Sequence, residues 1–178
     1  AVDFGITHPT TCVWTAYDPD SDVIYVYDAY KKEGEVPAVH GAVIKSRGKS
    51  IPCIYPHDGD NTEKGSGKTL AEMYLEIGVL MIGKFTNPDG TNFVEPGLME
   101  MLERFRTGRL RVFSNLVPWF EEFRRYHRKK GKIHKEFDDL MDATRYSAIS
   151  VTRFGQNAVE REQLTNGSTG YTTNEYSF

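Results

Sequence analysis

No apolar stretch in the 178-residue chain approaches the ~20 residues that a membrane-spanning helix needs, so no helical span is expected within it. There are only two cysteines, Cys12 and Cys53. Each lies in an apolar, strand-like run, and neither has a His or Cys at ligand spacing. That argues against a disulfide scaffold and a thiolate metal site, and for two reduced, buried thiols in a cytosolic protein. No internal repeat and no domain linker is visible. Net positive charge is also missing: the formal charge is -3, which alone does not advertise a nucleic-acid binder. No secretory leader is seen. The chain opens abruptly on Ala1-Val2-Asp3-Phe4-Gly5, which reads as the middle of a strand. We expect a piece of something longer, so absent targeting signals carry little weight.

What is present is an ordinary globular composition, 39% hydrophobic and 12% aromatic, enough for one domain with a core. The charge is unevenly spread. Eleven of the 22 Lys and Arg residues fall between Arg104 and Lys135. Such a run is most simply a solvated helix face.

Periodicity gives the elements. Val2 to Phe4 is a strand fragment. Thr11 to Tyr17 and Val23 to Tyr30 alternate and are rich in β formers, with a turn of Asp and Pro between them. Pro37 to Ser46 has helical character, and Ile51 to Tyr55 is a short buried strand. Thr69 to Ile77 carries apolar residues at helical spacing, and Val79 to Phe85 reads as a strand. A helix over Pro96 to Thr107, a strand over Leu110 to Phe113 and an amphipathic helix over Pro118 to Lys129 follow. Lys130-Gly131-Lys132 breaks that helix. A last helix opens at Asp138 and runs to about Arg153. The expected fold is α/β: a mixed sheet with antiparallel first strands and helices on both faces. We expect one domain over 1–155 and a polar tail over 156–178, loosely held or docked on a partner.

Carboxylates recur at strategic places. Asp3 sits on the first strand beside Phe4-Gly5, Asp58 follows the strand Ile51 to Tyr55, and Asp138, Asp139 and Asp142 lie on the last helix. Asp3 and Asp58 are open to a turn-capping role, and Asp138 to that of helix N-cap. Asp139 gains from the helix N-terminus. Asp142 lies deeper, among Met141, Ala143 and Tyr146, where neither reason suffices. Carboxylates converging from several elements repel one another unless divalent cations neutralise them. Mg²⁺ or Mn²⁺ prefers such oxygen ligands, and two ions about 3.5–4 Å apart activate water against a phosphodiester.

Val2-Asp3-Phe4-Gly5, Tyr55-Pro56-His57-Asp58-Gly59 and Asp138-Asp139-Leu140-Met141-Asp142-Ala143-Thr144-Arg145-Tyr146, in that order, resemble the nuclease domain of tailed-phage terminase large subunits, a branch of the RNase H-like superfamily. The similarity covers roughly residues 2 to 150. It implies an RNase H-like fold and a metal triad of Asp3, Asp58 and Asp142. Asp3 would bridge two ions, and Asp139 would be an accessory ligand or orienting residue. It also implies metal-dependent endonuclease activity of low sequence specificity on concatemeric viral DNA, in the host cell cytoplasm. The implied partners are double-stranded DNA, the portal protein and the small terminase subunit. The ATPase motor that the family carries is not in this sequence. Arg124, Arg125, Arg128, Lys129, Lys130 and Lys132 would line a DNA track, with Lys64 and Lys68 as further contacts. His8 and His57 lie near the proposed acids as hydrogen-bonding neighbours, ligands or proton shuttles.

Two other readings stay open: a Holliday-junction resolvase or transposase-like nuclease, and a noncatalytic DNA- or portal-docking module of the same fold. Gly65-Ser66-Gly67-Lys68-Thr69 imitates a phosphate-binding loop, but the glycine required five positions before Gly67 is Thr62, so no ATP site is expected.

Overall fold

The computed structural model describes residues 1–5, 8–62, 65, 67–134 and 136–154. Strands β1 (Val2–Asp3), β2 (Thr10–Asp18) and β3 (Val23–Lys32) form an antiparallel meander, and β6 (Leu110–Val112) adds to β3 in parallel. A parallel pair, β4 (Cys53–Tyr55) and β5 (Met81–Lys84), lies on the other side of β1. Helices α1 (Pro37–Ser46), α2 (Leu70–Ile77), α3 (Val94–Arg106), α4 (Val117–Arg125) and α5 (Asp139–Phe154) cover the sheet. The mixed sheet with antiparallel first strands is as the sequence implies.

Alternation along β2 sorts the core into two layers. Cys12 and Trp14 join Val2, Ile44 and Tyr74 on the face covered by α1 and α2. Val13 joins Ile24, Val26, Trp119, Leu140 and Ala148 on the face covered by α3, α4 and α5. The two thiols are free and buried. A β-bulge adjusts this pattern. Trp14 pairs with Asp28 but Thr15 pairs with Val26, so Tyr27 is an extra residue in β3. Ile24 and Val26 therefore share a face with Ala29 and Lys31, which strict alternation would have put on the opposite side.

Helix α5 is the central element. Every residue from Leu140 to Ser150 is buried, as expected of a helix enclosed on all sides. Its polar side chains find partners: Trp119 donates to Thr144 at 2.8 Å, Thr144 donates to the Leu140 carbonyl, and Ser147 meets Thr15 at 2.7 Å.

Two boundaries differ from expectation. The amphipathic helix stops at Arg125 rather than Lys129, and a hairpin follows it, β7 (Arg128–Lys129) pairing with β8 (Lys132–Ile133). Lys130 and Gly131 form its two-residue turn, both with positive φ, a backbone twist that suits a tight hairpin. The expected strand Val79 to Phe85 shortens to Met81–Lys84. The expected tail over 156–178 lies outside the described residues.

The β2–β3 turn is clasped by charge. Asp22 takes a left-handed conformation (φ 51°) and accepts from Arg104 at 3.0 Å, Arg109 at 2.7 Å and Tyr17 at 3.1 Å. Its hydrogen bonds to Arg109 and Arg104 hold its carboxyl at about 2. The unfolded chain ionises at ~3.9, so the clasp is in full force above that pH and is lost as the pH falls through about 2. Asn tolerates the same backbone. We expect Asp22→Asn to lower the melting temperature at neutral pH, with the gap to the parent closing as both are acidified from pH 4 towards pH 2; a gap independent of pH would contradict the clasp.

Candidate metal centre and nucleic-acid face

The register of the meander builds the site. Asp3 pairs directly with Thr11, and Thr11 with Lys31. Directly paired residues of antiparallel strands point to one side, so Asp3, Thr11 and Lys31 form a row facing the start of α5. Thr11 donates its hydroxyl to the Asp139 carbonyl at 3.0 Å, which fixes the first turn of α5 above that row. Asp139 and Asp142, three residues apart, then occupy the same face of the helix.

Asp58 arrives from the opposite side. It sits in a 3-10 turn (His57–Asp60) just after β4, a strand that lies against β1. A Cβ on Gly59 would collide with the rings of Tyr55 and Phe4, so glycine lets this turn close onto the Asp3 strand. Asp60 belongs elsewhere: it is held by Lys84 at 2.7 Å and by the Tyr55 hydroxyl at 3.3 Å.

The result is a cleft of about 730 Å³ lined by Asp3, Asp58, Asp138, Asp139 and Asp142. Nine of its sixteen lining residues are acidic, against two basic ones, Lys31 and Arg125, so its field favours cations. Burial raises the Asp58 carboxyl above its ordinary range, partly opposed by backbone hydrogen bonds. The Tyr146 phenol is pushed up by burial and then by the negative charge of Asp3 and Asp142, partly opposed by Arg145, with Asp58 adding less. Among the described residues, no three His, Cys, Asp or Glu side chains are gathered closely enough to hold a metal ion between them as they stand. The acids converge on a cleft, and their all-oxygen chemistry fits Mg²⁺ or Mn²⁺. Mg²⁺ in particular usually keeps several waters and takes only one or two protein carboxylates.

Supporting residues whose roles sequence patterning does not reveal surround these acids. Arg145 is buried and donates to Asp142 Oδ1 from Nε at 3.3 Å and Nη2 at 3.1 Å. Its guanidinium lies over the rings of Phe85 and Tyr146, and its stem fills the space where a Cβ on Gly97 would stand, 2.7 Å away. The other terminal nitrogen, Nη1, has no hydrogen-bond partner among the described residues; nor has His57 Nε2, and both residues line a smaller recess beside Asp3 and Asp58. Glu122 is 4% exposed and accepts the Leu140 N–H at 2.8 Å, capping α5 from α4. Lys31 donates to Glu122 and, at 3.0 Å, to Asp139. Burial opposes the Lys31 charge, but these hydrogen bonds outweigh it and raise its pKa. The one signal for Glu122 is helical spacing, since it falls three residues after the apolar Trp119 in α4. Lys31 gives none, because the bulge in β3 is invisible in the sequence.

The basic residues divide. Arg125 reaches the cleft and lies over the Phe137 ring. Arg124 is exposed on α4. Lys129, Lys130 and Lys132 stand exposed on the hairpin, whereas Arg128 is tied to Glu95 on α3 at 2.7 Å. Lys68 pairs with Glu76 at 2.6 Å, beside Thr69, which serves as the N-cap of α2 in a capping box with Glu72. The imitation phosphate loop thus ends in an ordinary helix cap. Lys64 lies outside the described residues. His8 lines the cleft and is exposed.

A mixed sheet with three antiparallel leading strands, and acids brought together from β1, the turn after β4 and the start of α5, defines the RNase H-like class. Within it, a family model for the terminase RNaseH-like domain matches residues 1–150, and the chain belongs to that family. The terminase large subunits of Enterobacteria phage LP7 and Salmonella phage P22 are each 42% identical to it over 148 residues, 82% of this chain. That stretch is 31% and 30% of those proteins, so the chain spans about a third of their length. The structure of the P22 large terminase nuclease domain is similar with a TM-score of 0.78 at 41% identity, over 86% of this chain and 79% of that one. The g2p (large terminase) nuclease domain of bacteriophage SPP1, solved with bound Mn, shares the fold with a TM-score of 0.59 at 22% identity, over 82% of this chain and 81% of that one.

Removing one member of a buried ion pair strands the other charge and costs about 3–5 kcal/mol. We therefore expect Arg145→Met to lower the unfolding free energy obtained from urea titration by an amount in that range, since it leaves Asp142 enclosed without the guanidinium. A loss below about 1 kcal/mol would show that Arg145 does not hold Asp142.

Proposed function

We propose that this chain is the DNA-cutting part of a terminase large subunit, a metal-dependent endonuclease acting on concatemeric viral DNA during genome packaging in the host cell cytoplasm. The observation that carries the reading is the convergence of Asp3, Asp58 and Asp142 on one acidic cleft, on three separate elements. Asp139 lies at the same cleft, as an accessory or orienting residue. Family membership supports the substrate class. In this reading the partners are double-stranded DNA, the portal protein and the small subunit, with an ATPase motor outside this sequence.

Two divalent cations, Mg²⁺ or Mn²⁺, would supply the acidity that activates water and the charge that offsets the phosphodiester. Asp3, Asp58 and Asp142 would hold them, and the chain's own work is to keep those carboxylates in place. Arg145 restrains Asp142, the Thr11 bond restrains the backbone at Asp139, and Gly59 lets the Asp58 turn approach β1. An acidic cleft repels DNA unless cations occupy it, so phosphate affinity must come from its rim. Arg125, which lines the cleft, would provide part of it, and Arg124, Lys129, Lys130 and Lys132, exposed on α4 and the hairpin, would provide the rest.

The direct test is cleavage of plasmid DNA with Mn²⁺. Asp3→Asn and Asp142→Asn should each reduce cleavage more than about 100-fold, beyond the loss typical of an outer-shell change. Circular dichroism should be unchanged. Persistent cleavage by either variant would end the triad assignment, and no cleavage by the parent chain would favour a docking module. Separately, replacing Lys129, Lys130 and Lys132 together by Ala should flatten the slope of log affinity against log salt by about 2–3, at roughly 0.9 for each phosphate no longer neutralised. An unchanged slope would remove the hairpin from the DNA track.

A further inference from the structure

Lys31 is the cleft's interior cation, and the fold goes to some length to place it. The bulge at Tyr27 turns it onto the Asp3 face of the sheet. Its Nζ donates to Glu122 and to Asp139 Oδ2 at 3.0 Å. Glu122 is fixed at both oxygens, since its other one accepts the Leu140 N–H at 2.8 Å. The Lys31 side chain is 25% exposed, against 5% for Glu122 and 17% for Asp139, so the ammonium is anchored at its inner end and reaches Asp139 at its outer one.

We propose that Lys31, anchored by Glu122, is a positioning residue that engages the Asp139 carboxylate and so competes with a divalent cation for it. This rests on the metal-dependent reading of the cleft and deepens it. A carboxylate bonded to an ammonium has spent much of its attraction for a second cation, and the ammonium itself repels that cation across a short distance. Asp3, Asp58 and Asp142 then carry the primary site. Asp139 becomes available only when something else takes over its bond to Lys31. A DNA phosphate entering the cleft is a group of suitable charge, so the device makes metal loading depend on substrate. An unregulated nuclease inside a packaging machine would cut at random, and weak loading without DNA limits that.

The test is Mn²⁺ binding by the chain without DNA, read from the loss of the free-ion electron paramagnetic resonance signal. Lys31→Met keeps the stem and removes the charge. We expect it to tighten Mn²⁺ binding roughly tenfold, the scale expected for removing one nearby unit charge in a partly solvated cleft. Lys31→Arg should bind as the parent does, and Lys31→Met with Asp139→Asn should lose the gain. A merely structural role for Lys31 would change the melting temperature and leave Mn²⁺ affinity alone. Unchanged affinity in a folded Lys31→Met overturns the proposal, and so does a gain that survives Asp139→Asn. Asp142→Asn is the control for the underlying reading. If it binds Mn²⁺ as tightly as the parent, the site assignment fails and this proposal with it. If it binds poorly while Lys31→Met is indifferent, only the Lys31 role is lost.

Discussion

The structure depends on the seating of helix α5 across the antiparallel meander. Eleven consecutive residues, Leu140 to Ser150, are buried, so this helix cannot shift without opening the core on the side that also holds Trp119, Val13 and Ile24. Its N-terminus is pinned at two points from different elements: Thr11 on β2 bonds the Asp139 carbonyl, and Glu122 on α4 takes the Leu140 N–H. Those two bonds set the height and rotation of the first turn. They thereby decide that Asp139 and Asp142 face Asp3. A helix N-terminus also favours negative charge, so the fold gathers acids where their mutual repulsion is partly offset.

The cleft is a compromise between repulsion and chemistry. Nine acidic lining residues in one concavity are costly to an apoprotein, and the chain meets that cost with fixed cations of its own: Arg145 beneath Asp142 and Lys31 between Glu122 and Asp139. Both are held by buried or stacked surroundings rather than by solvent. Arg145 lies between rings and against Gly97, and Lys31 is turned inward by a bulge. Divalent ions bound among the acids would add to this compensation.

Much of this is legible in the amino-acid order. Alternation marks β2 and β3, helical spacing marks α2, α3 and α5, and three acidic motifs in order mark the family, because each rests on local periodicity or chemistry. The bulge at Tyr27 is not legible. Its strand, Val23 to Lys32, alternates acceptably either way, and only pairing with β2 shows that one residue is extra. Lys31 is hidden with it. Arg128 and Lys129, the hairpin's first strand, read as a helix end because the basic run carries no apolar period that distinguishes the two, and Lys130 and Gly131, read as a break, form the hairpin turn through their positive φ. Arg145 is visible as part of a motif, but its role as the partner of Asp142 needs the burial that only the assembled core supplies.

In the function proposed above, Asp3, Asp58 and Asp142 together hold divalent cations. Anomalous diffraction from a crystal soaked in Mn²⁺ addresses it most directly. Manganese peaks are expected in the cleft, within coordination distance of carboxylate oxygens from all three residues. Peaks confined to other acids, such as Asp22 or Asp60, with the cleft left bare at saturating Mn²⁺, would contradict it.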